Sequence, residues 1–463
     1  MNYLKIISCV LVMVVAASGP LKSQYNAIPP TTGLPESMSL SLEQAVKLAI
    51  DNNPNLKRVQ MGSVLLEKQV QRVKGTGLPQ ITGTTGFTDN FSLPQQILPG
   101  EIFGQSGQIA VTFGNRYGIN AGVEVNQLIY SRAYSTNLKK LDASRTTVQL
   151  QYLATLEDLV YNVAQVYIQY QINAEQRSIL EANIEQVNTL VNVAQAQFEN
   201  GIVKKLDVDQ IKVNRTNLLS ELSNLEIGLE QQLNVLRFYL ALDMSQPLEL
   251  TEKLDEAQSY PLSDTLLMAS NINYQLLQNQ MALNIMDDDV INADRYPQIS
   301  AFAQYGYTGQ ANEFNLKDGN YSGFRSGLWG INMSIPIFNG FQTKRQLEEN
   351  YIKRQQLTLD IQQLENATKM EFRNAANNIQ QSKKLVSTQS ANMELAQEVY
   401  DITKLSYQEG VAPLTELLNA ETGLRESQTH YLTALINLKL AELEYIKSSG
   451  QLAKLTNSLS NNQ

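Results

Sequence analysis

The sequence predicts a mixed α/β membrane protein made of two internal repeats, each reading helix, strand, strand, long helix, long helix. Three observations carry this. The first is duplication. Val125-Asn126-Gln127-Leu128-Ile129-Tyr130 returns 208 residues later as Met333-Ser334-Ile335-Pro336-Ile337-Phe338. Leu78-Pro79-Gln80-Ile81 returns 218 later as Tyr296-Pro297-Gln298-Ile299, and Phe198-Glu199-Asn200-Gly201-Ile202-Val203 returns 209 later as Tyr407-Gln408-Glu409-Gly410-Val411-Ala412. The order is kept, and the period is far too long for a solenoid. The second observation is a strand-like alternation early in each copy. The third is a helical seam late in each copy.

The chain opens on Lys5 and an apolar run from Ile6 to Ala17, followed by small residues. That is a secretory signal peptide over about 1–23, too short for a membrane anchor. The competing reading is a buried N-terminal helix. Cys9, the only cysteine, lies inside the run and leaves with it, so the mature chain needs no disulfide or thiolate site. Loss of Lys5 and Lys22 lowers the basic count from 36 to 34 against 45 acids, taking the net charge from −9 to −11. An acidic exported chain is a poor partner for nucleic acid. After the signal no apolar run has the ~20 residues a transmembrane helix needs. A transmembrane β-barrel stays open, because its signal per segment is weak.

Repeat 1 covers about 38–243. A helix runs from Ser41 to Lys74, interrupted at Asn53-Pro54, and Ser41 with Glu43 and Gln44 resembles a capping pattern. Strands follow at about 80–90 and 108–130, with a polar, Gly-rich loop over 91–107. From Ile109 to Val125 the odd positions are mostly apolar and the even ones small or polar, the period of a strand with one apolar face. A helical hairpin occupies about 133–243, with its tip near 199–206. Leu180, Ile184, Val187, Val191, Ala194 and Phe198 step by fours and threes, as do the leucines from Leu218 to Leu240. These are narrow coiled-coil seams. At 1.5 Å per residue the proline-free stretch Ala133–Gln197 makes a helix roughly 100 Å long.

A linker over 244–261, with two prolines, leads to repeat 2 at about 262–450. Its first helix reads Ser263–Asp294. Its strands fall at about 298–308 and 322–338, where Trp329, Ile331, Met333 and Ile335 alternate with Gly330, Asn332 and Ser334; Phe302 falls on the wrong face. Its hairpin spans about 341–449, with the tip near 408–415. Residues 451–463 are a polar tail. Asp287-Asp288-Asp289 reads as a solvated face rather than a cation site. His430, the only histidine, reads as a seam or surface residue. No catalytic constellation, cofactor motif or metal cluster is visible, so the chain does not read as an enzyme.

Four strands cannot close a membrane barrel, since the smallest have about eight. An open sheet in lipid would leave backbone groups unpaired. Several copies must therefore pool their strands. The small polar set of Gly, Asn, Ser and Thr suits a water-filled interior. Tyr117, Tyr130, Tyr305, Tyr307, Trp329 and Phe338 are candidates for interfacial aromatic belts. A periplasmic β-sandwich is the competing reading of the same strands, and a periplasmic coiled-coil scaffold or adhesin without a pore is the competing function.

The duplication, the Ser41-Leu42-Glu43-Gln44-Ala45 opening with Asn52-Asn53-Pro54, the Leu78-Pro79-Gln80 and Tyr296-Pro297-Gln298 turns, and Ile335-Pro336-Ile337-Phe338-Asn339-Gly340 together resemble the TolC family of outer-membrane efflux proteins over about 38–450. The resemblance implies a homotrimer: a 12-stranded β-barrel in the outer membrane of a Gram-negative bacterium, continued by a 12-helix coiled-coil tunnel in the periplasm. It implies a passive exit duct of a tripartite efflux or type I secretion system. Its partners would be a periplasmic adaptor (membrane fusion) protein, an inner-membrane pump such as an RND or ABC transporter, and the lipid bilayer. It places adaptor-docking tips at Gly201, Ile202, Val203 and at Gly410, Val411, Ala412. By the same resemblance Asp207 and Tyr407 belong to the network closing the periplasmic gate, and Glu416 to an acidic ring at the constriction. Two departures stand out: Ala412 where an arginine of that network is expected, and Asn419 where a second acidic ring residue is. Lys204 and Lys205 are candidate replacement cations.

Overall fold

The computed structural model describes residues 37–104, 106–252, 266–314, 322–450 and 452. The signal peptide, Ser263, much of the inter-repeat linker and all of the tail except Leu452 lie outside these. Strand β1 (Met38–Leu40) leads into helix α1 (Leu42–Asn52). Ser41 Oγ accepts from the Gln44 N–H at 3.2 Å while Gln44 Oε1 accepts from the Ser41 N–H at 2.9 Å, a full capping box. Asn53 ends α1 because the following proline disfavours a helical conformation there. Its Oδ1 then accepts from the N–H groups of Asn55 and Leu56, starting α2 (Pro54–Thr76) with proline at its first position.

Strand β2 (Gln80–Asp89) follows. The next segment departs from the sequence reading: the loop at 91–107 contains strand β3 (Gln95–Pro99), which pairs with β4 (Gln108–Thr112) in a separate hairpin. The strand expected over 108–130 is thus broken. Gly114 takes φ +99°, a conformation open to glycine, and the chain re-enters the main sheet as β5 (Tyr117–Tyr130). Alternation alone does not reveal such a break, because both pieces keep the same phase.

Helix α3 (Arg132–Glu199) turns back into α4 (Lys205–Leu240). Within the expected linker, β6 (Leu248–Leu250) pairs in parallel with β1. Repeat 2 then shows α5 (Ile272–Ala293, capped by Asn271), β7 (Gln298–Ala311), β8 (Ser322–Ser334), α6 (Gln342–Gln408) and α7 (Leu414–Ser448). Strand β8 stops at Ser334 rather than at 338. Pro336 has no N–H for the ladder, whereas the matching strand of repeat 1 continues to Tyr130. Phe338 therefore lies outside the sheet.

The main sheet is antiparallel in the order β2-β5-β7-β8. Its register joins Ile81, Val125, Ala303 and Trp329 in one row, and Gly83, Val123, Tyr305 and Gly327 in the next row of the same face. The opposite face carries Thr82, Glu124, Gln304 and Leu328, then Thr84, Gly122, Gly306 and Ser326. Phe302 does sit on this second face. Its ring lies over Gly330, where any β-carbon would stand 3.0 Å from it.

The long helices α3 and α6 have 68 and 67 residues, but their hairpin partners α4 and α7 have only 36 and 35. Along α3 the remaining length is covered by α1 and α2, and α5 packs against both α3 and α6. Asn53 Nδ2 donates to the Tyr239 carbonyl at 3.0 Å, tying the start of α2 to the end of α4. The seam leucines Leu218, Leu229, Leu233, Leu236 and Leu240 are buried as their spacing predicts, while Phe198 is partly exposed.

Candidate functional site: the paired tips and the seam above them

Both hairpin tips are built alike. Helix α3 ends with Gly201 at φ +76°; the Ile202 N–H reaches the Gln197 carbonyl at 2.9 Å and the Gly201 N–H the Phe198 carbonyl at 2.9 Å. Helix α6 repeats this with Gly410 at φ +72°, Val411 to Ser406 at 2.9 Å and Gly410 to Tyr407 at 3.0 Å. These are Schellman closures, which need a left-handed residue after the helix and therefore glycine. They leave Ile202 71% and Val411 82% exposed, while Val203 folds back onto the apolar seam and Ala412 is half-buried. Pro413 caps α7.

Beyond each tip stand the residues singled out for the gate. Asp207, in the first turn of α4, accepts the Lys204 N–H at 3.1 Å. Tyr407 is 5% exposed and its hydroxyl has no hydrogen-bond partner among the described residues. Burial, and then the nearby Asp207 carboxylate, push its phenol above the ordinary range. The structure thus brings Asp207 and Tyr407 together. Glu416 is exposed in the first turn of α7, with Asn419 one turn on, also exposed. Neither Lys204 nor Lys205 takes part in an ion pair among the described residues, so no replacement for the missing arginine is formed within one protomer. His430 is a surface residue.

Above the tips, the two hairpins meet along α7. Leu414, Glu421, Gln428, Leu435 and Glu442 recur every seventh residue, and all are buried or half-buried. Asn214 Nδ2 of α4 donates to Glu421 Oε2, Asn183 Nδ2 of α3 donates to Gln428 Oε1 at 3.0 Å, and Tyr161 of α3 donates to Glu444 at 2.7 Å. Lys447 closes the series on Asp158 at 3.2 Å, lying 4.2 Å over the Tyr161 ring. Sequence reading missed this polar ladder. The signal was present as polar residues at heptad positions of a leucine seam.

Of the Asp287-Asp288-Asp289 run only Asp289 is a solvated residue; the other two are half-buried and paired. Asp287 pairs with Lys140 of α3, Asp288 with Arg354 of α6, and Asn350 Nδ2 donates to Asp288 Oδ1 at 2.7 Å. Burial resists the Asp288 charge, but the Arg354 and Asn350 hydrogen bonds outweigh it and hold the carboxyl below its ordinary range. The run interlocks α5 with the long helix of each repeat.

In the sheet, Tyr117, Tyr305, Tyr307 and Trp329 share the apolar face; a register shift between Leu128 and Tyr130 brings Tyr130 opposite Ile299 and onto that face too. Tyr130 lies toward the helices and Tyr117 at the far end, with Trp329 near the middle of β8. Tyr305 and Tyr307 lie between, so the six do not form two clean bands.

A family model described as outer membrane efflux protein matches residues 45–242 and 287–457. The chain belongs to that family. Relatives among the outer membrane efflux proteins include the outer membrane protein TolC of Vibrio cholerae, 21% identical over 427 residues that cover 91% of each chain. Another is the toluene efflux pump outer membrane protein TtgF of Pseudomonas putida, 22% identical over 88% of this chain and 83% of its own. The fold is similar to the CmeC outer membrane channel of Campylobacter jejuni, with a TM-score of 0.71 at 16% identity over 91% of this chain and 89% of that one. CusC, a transmembrane channel, gives a TM-score of 0.70 at 17% identity over 92% and 95%. Membership makes the chain an outer-membrane exit duct for efflux and sets aside the scaffold and adhesin readings.

Proposed function

We propose that three copies assemble into one duct, their twelve strands closing a barrel in the outer membrane and their helices forming a periplasmic tunnel of twelve. One observation carries this: the sheet has only four strands, and both β2 and β8 are open edges. In lipid those edges must be paired, and adjacent copies offer matching edges. The apolar face, with Ile81 71% and Trp329 80% exposed, then meets lipid, and the Gly, Asn, Thr and Gln face lines water. Most of the chain lies in the periplasm. The tips around Gly201-Ile202-Val203 and Gly410-Val411-Ala412 receive a periplasmic adaptor, which joins the duct to an inner-membrane pump. Asp207, Tyr407 and Glu416 stand at the constriction. Aromatic contact with the membrane boundary comes from Tyr130 and Phe338 on one side and Tyr117 on the other.

In detergent the purified protein is expected to migrate as a trimer that heating dissociates, and in planar bilayers to conduct with cation preference. A ring of three Glu416 carboxylates would supply that preference. Glu416→Ala is expected to bring the cation-to-anion permeability ratio toward unity; an unchanged ratio overturns the ring assignment. A soluble, lipid-free monomer overturns the duct.

A further inference from the structure

The seam between the two hairpins is apolar near the tips, where Val208, Ile211 and Leu218 of α4 share one cluster with Leu414, Leu417 and Leu424 of α7. Glu421 interrupts it. Its residue is only 9% exposed, and within the protomer its hydrogen-bond partner is Asn214 on the opposite hairpin. Tyr400 approaches from α6, Arg425 acts from Glu421's own helix, and α4 presents the uncharged Asn214. A leucine at this point would hold the seam more firmly, because a buried carboxylate loses hydration that one amide hydrogen bond only partly replaces.

We propose that Glu421 and Asn214 set the balance between the shut and the parted seam: the carboxylate favours parting, where water reaches it, and the Asn214 amide holds it in place while the seam is shut. This rests on the duct reading and adds to it a control point above the tips, built from residues other than Asp207, Tyr407 and Glu416. The position fits the rest of the seam. Toward the middle of the molecule the hairpins are tied by the Lys447–Asp158 ion pair and the Tyr161–Glu444 bond, beside a large apolar cluster. Toward the tips the polar ties among the described residues are two neutral amides, Asn183 and Asn214, beside a smaller apolar cluster. Parting is therefore cheapest from Gln428 to the tip.

The pH dependence follows. Burial raises the Glu421 carboxyl above its ordinary 4.5, against the opposing effects of the Asn214 hydrogen bond and Arg425. In the parted seam, water returns it toward the ordinary value. Shutting therefore takes up a proton, and the shut state gains as pH falls through the raised value toward 4.5.

The test is single-channel recording on the full-length oligomer in planar bilayers. Asn214→Leu leaves a buried carboxylate without its partner and should raise open probability about tenfold to a hundredfold. Asn214→Leu combined with Glu421→Leu restores an apolar seam and should lower it below wild type. A residue of merely structural importance would move both variants the same way, so the same direction, or no change in either, overturns the proposal. Asn214→Asp should be open at neutral pH and shut again on acidification. Glu421→Gln, which keeps the shape, should abolish the fall in open probability between neutral and acid pH; a retained pH profile overturns the assignment. Conductance in wild type with indifferent variants leaves the duct standing and removes this control point. Absence of conductance in every variant removes both.

Discussion

Replacing Tyr167 with alanine is expected to destroy assembly, at a cost of about 3–5 kcal/mol in each copy. Tyr167 sits midway along α3 and is fully buried. Its ring is part of the cluster where α1, α3, α4 and α7 meet, the point at which the cover of the long helix passes from one short partner to the next. Its hydroxyl donates to the Leu40 carbonyl at 3.0 Å, fastening the short β1–β6 pair to the helices. Removing the ring empties a space that four elements converge on. Tyr167→Phe separates the two contributions. The Leu40 carbonyl also accepts from the Thr251 N–H at 3.1 Å, so it stays satisfied, and the loss should be about 0.5–1.5 kcal/mol. Thermal dissociation of the detergent-solubilised oligomer is the measurement. An alanine variant that dissociates at the wild-type temperature would show that stability resides elsewhere.

Sequence periodicity reached this architecture further than it reached the site. The repeat, the Asn53 break, the Ser41 capping box and the buried leucines of α4 were legible because each follows from local chemistry: a cap, a proline, a step of three or four. That α1, α2 and α5 cover the rest of the long helices was not, because a helical pattern continues in phase whether its partner is one helix or two stacked end to end. Strand breaks were hidden for a related reason. Gly114 interrupts the chain without shifting the alternation, and Pro336 ends β8 inside a motif whose counterpart stays extended to Tyr130. The acidic run at 287–289 misled because charge patterning cannot see cations on other elements, and Lys140 and Arg354 stand 147 and 66 residues away from their partners. At the tips, the duplicated glycines pointed to the correct turns. The nearness of Asp207 to Tyr407 was suggested by family likeness, and the ladder through Glu421 and Gln428 is a property of two helices meeting that neither shows alone.

A cation on the apolar face of the sheet is expected to block outer-membrane assembly, and the register says where. Val123 lies mid-sheet between Gly83 and Tyr305 and is 49% exposed in the protomer. Val123→Arg would place a guanidinium against lipid at about 2–4 kcal/mol near the bilayer midplane. In the proposed trimer that cost recurs in every subunit. Gln304 is the control. It stands one row from Tyr305 on the opposite face, paired with Glu124, where the chain already tolerates a charge. Gln304→Arg should therefore assemble normally and at most alter conductance. The fraction recovered as heat-dissociable oligomer from outer membranes distinguishes the two. Arg325 shows why depth matters. It shares the apolar face, opposite Tyr307, but lies three residues from the end of β8, where a long side chain can carry its charge to the polar boundary. Val123 has no such exit along the strand. If Val123→Arg and Gln304→Arg assemble equally well, the face assigned to lipid is the wrong one, and with it the closure of β2 against β8 of the next copy.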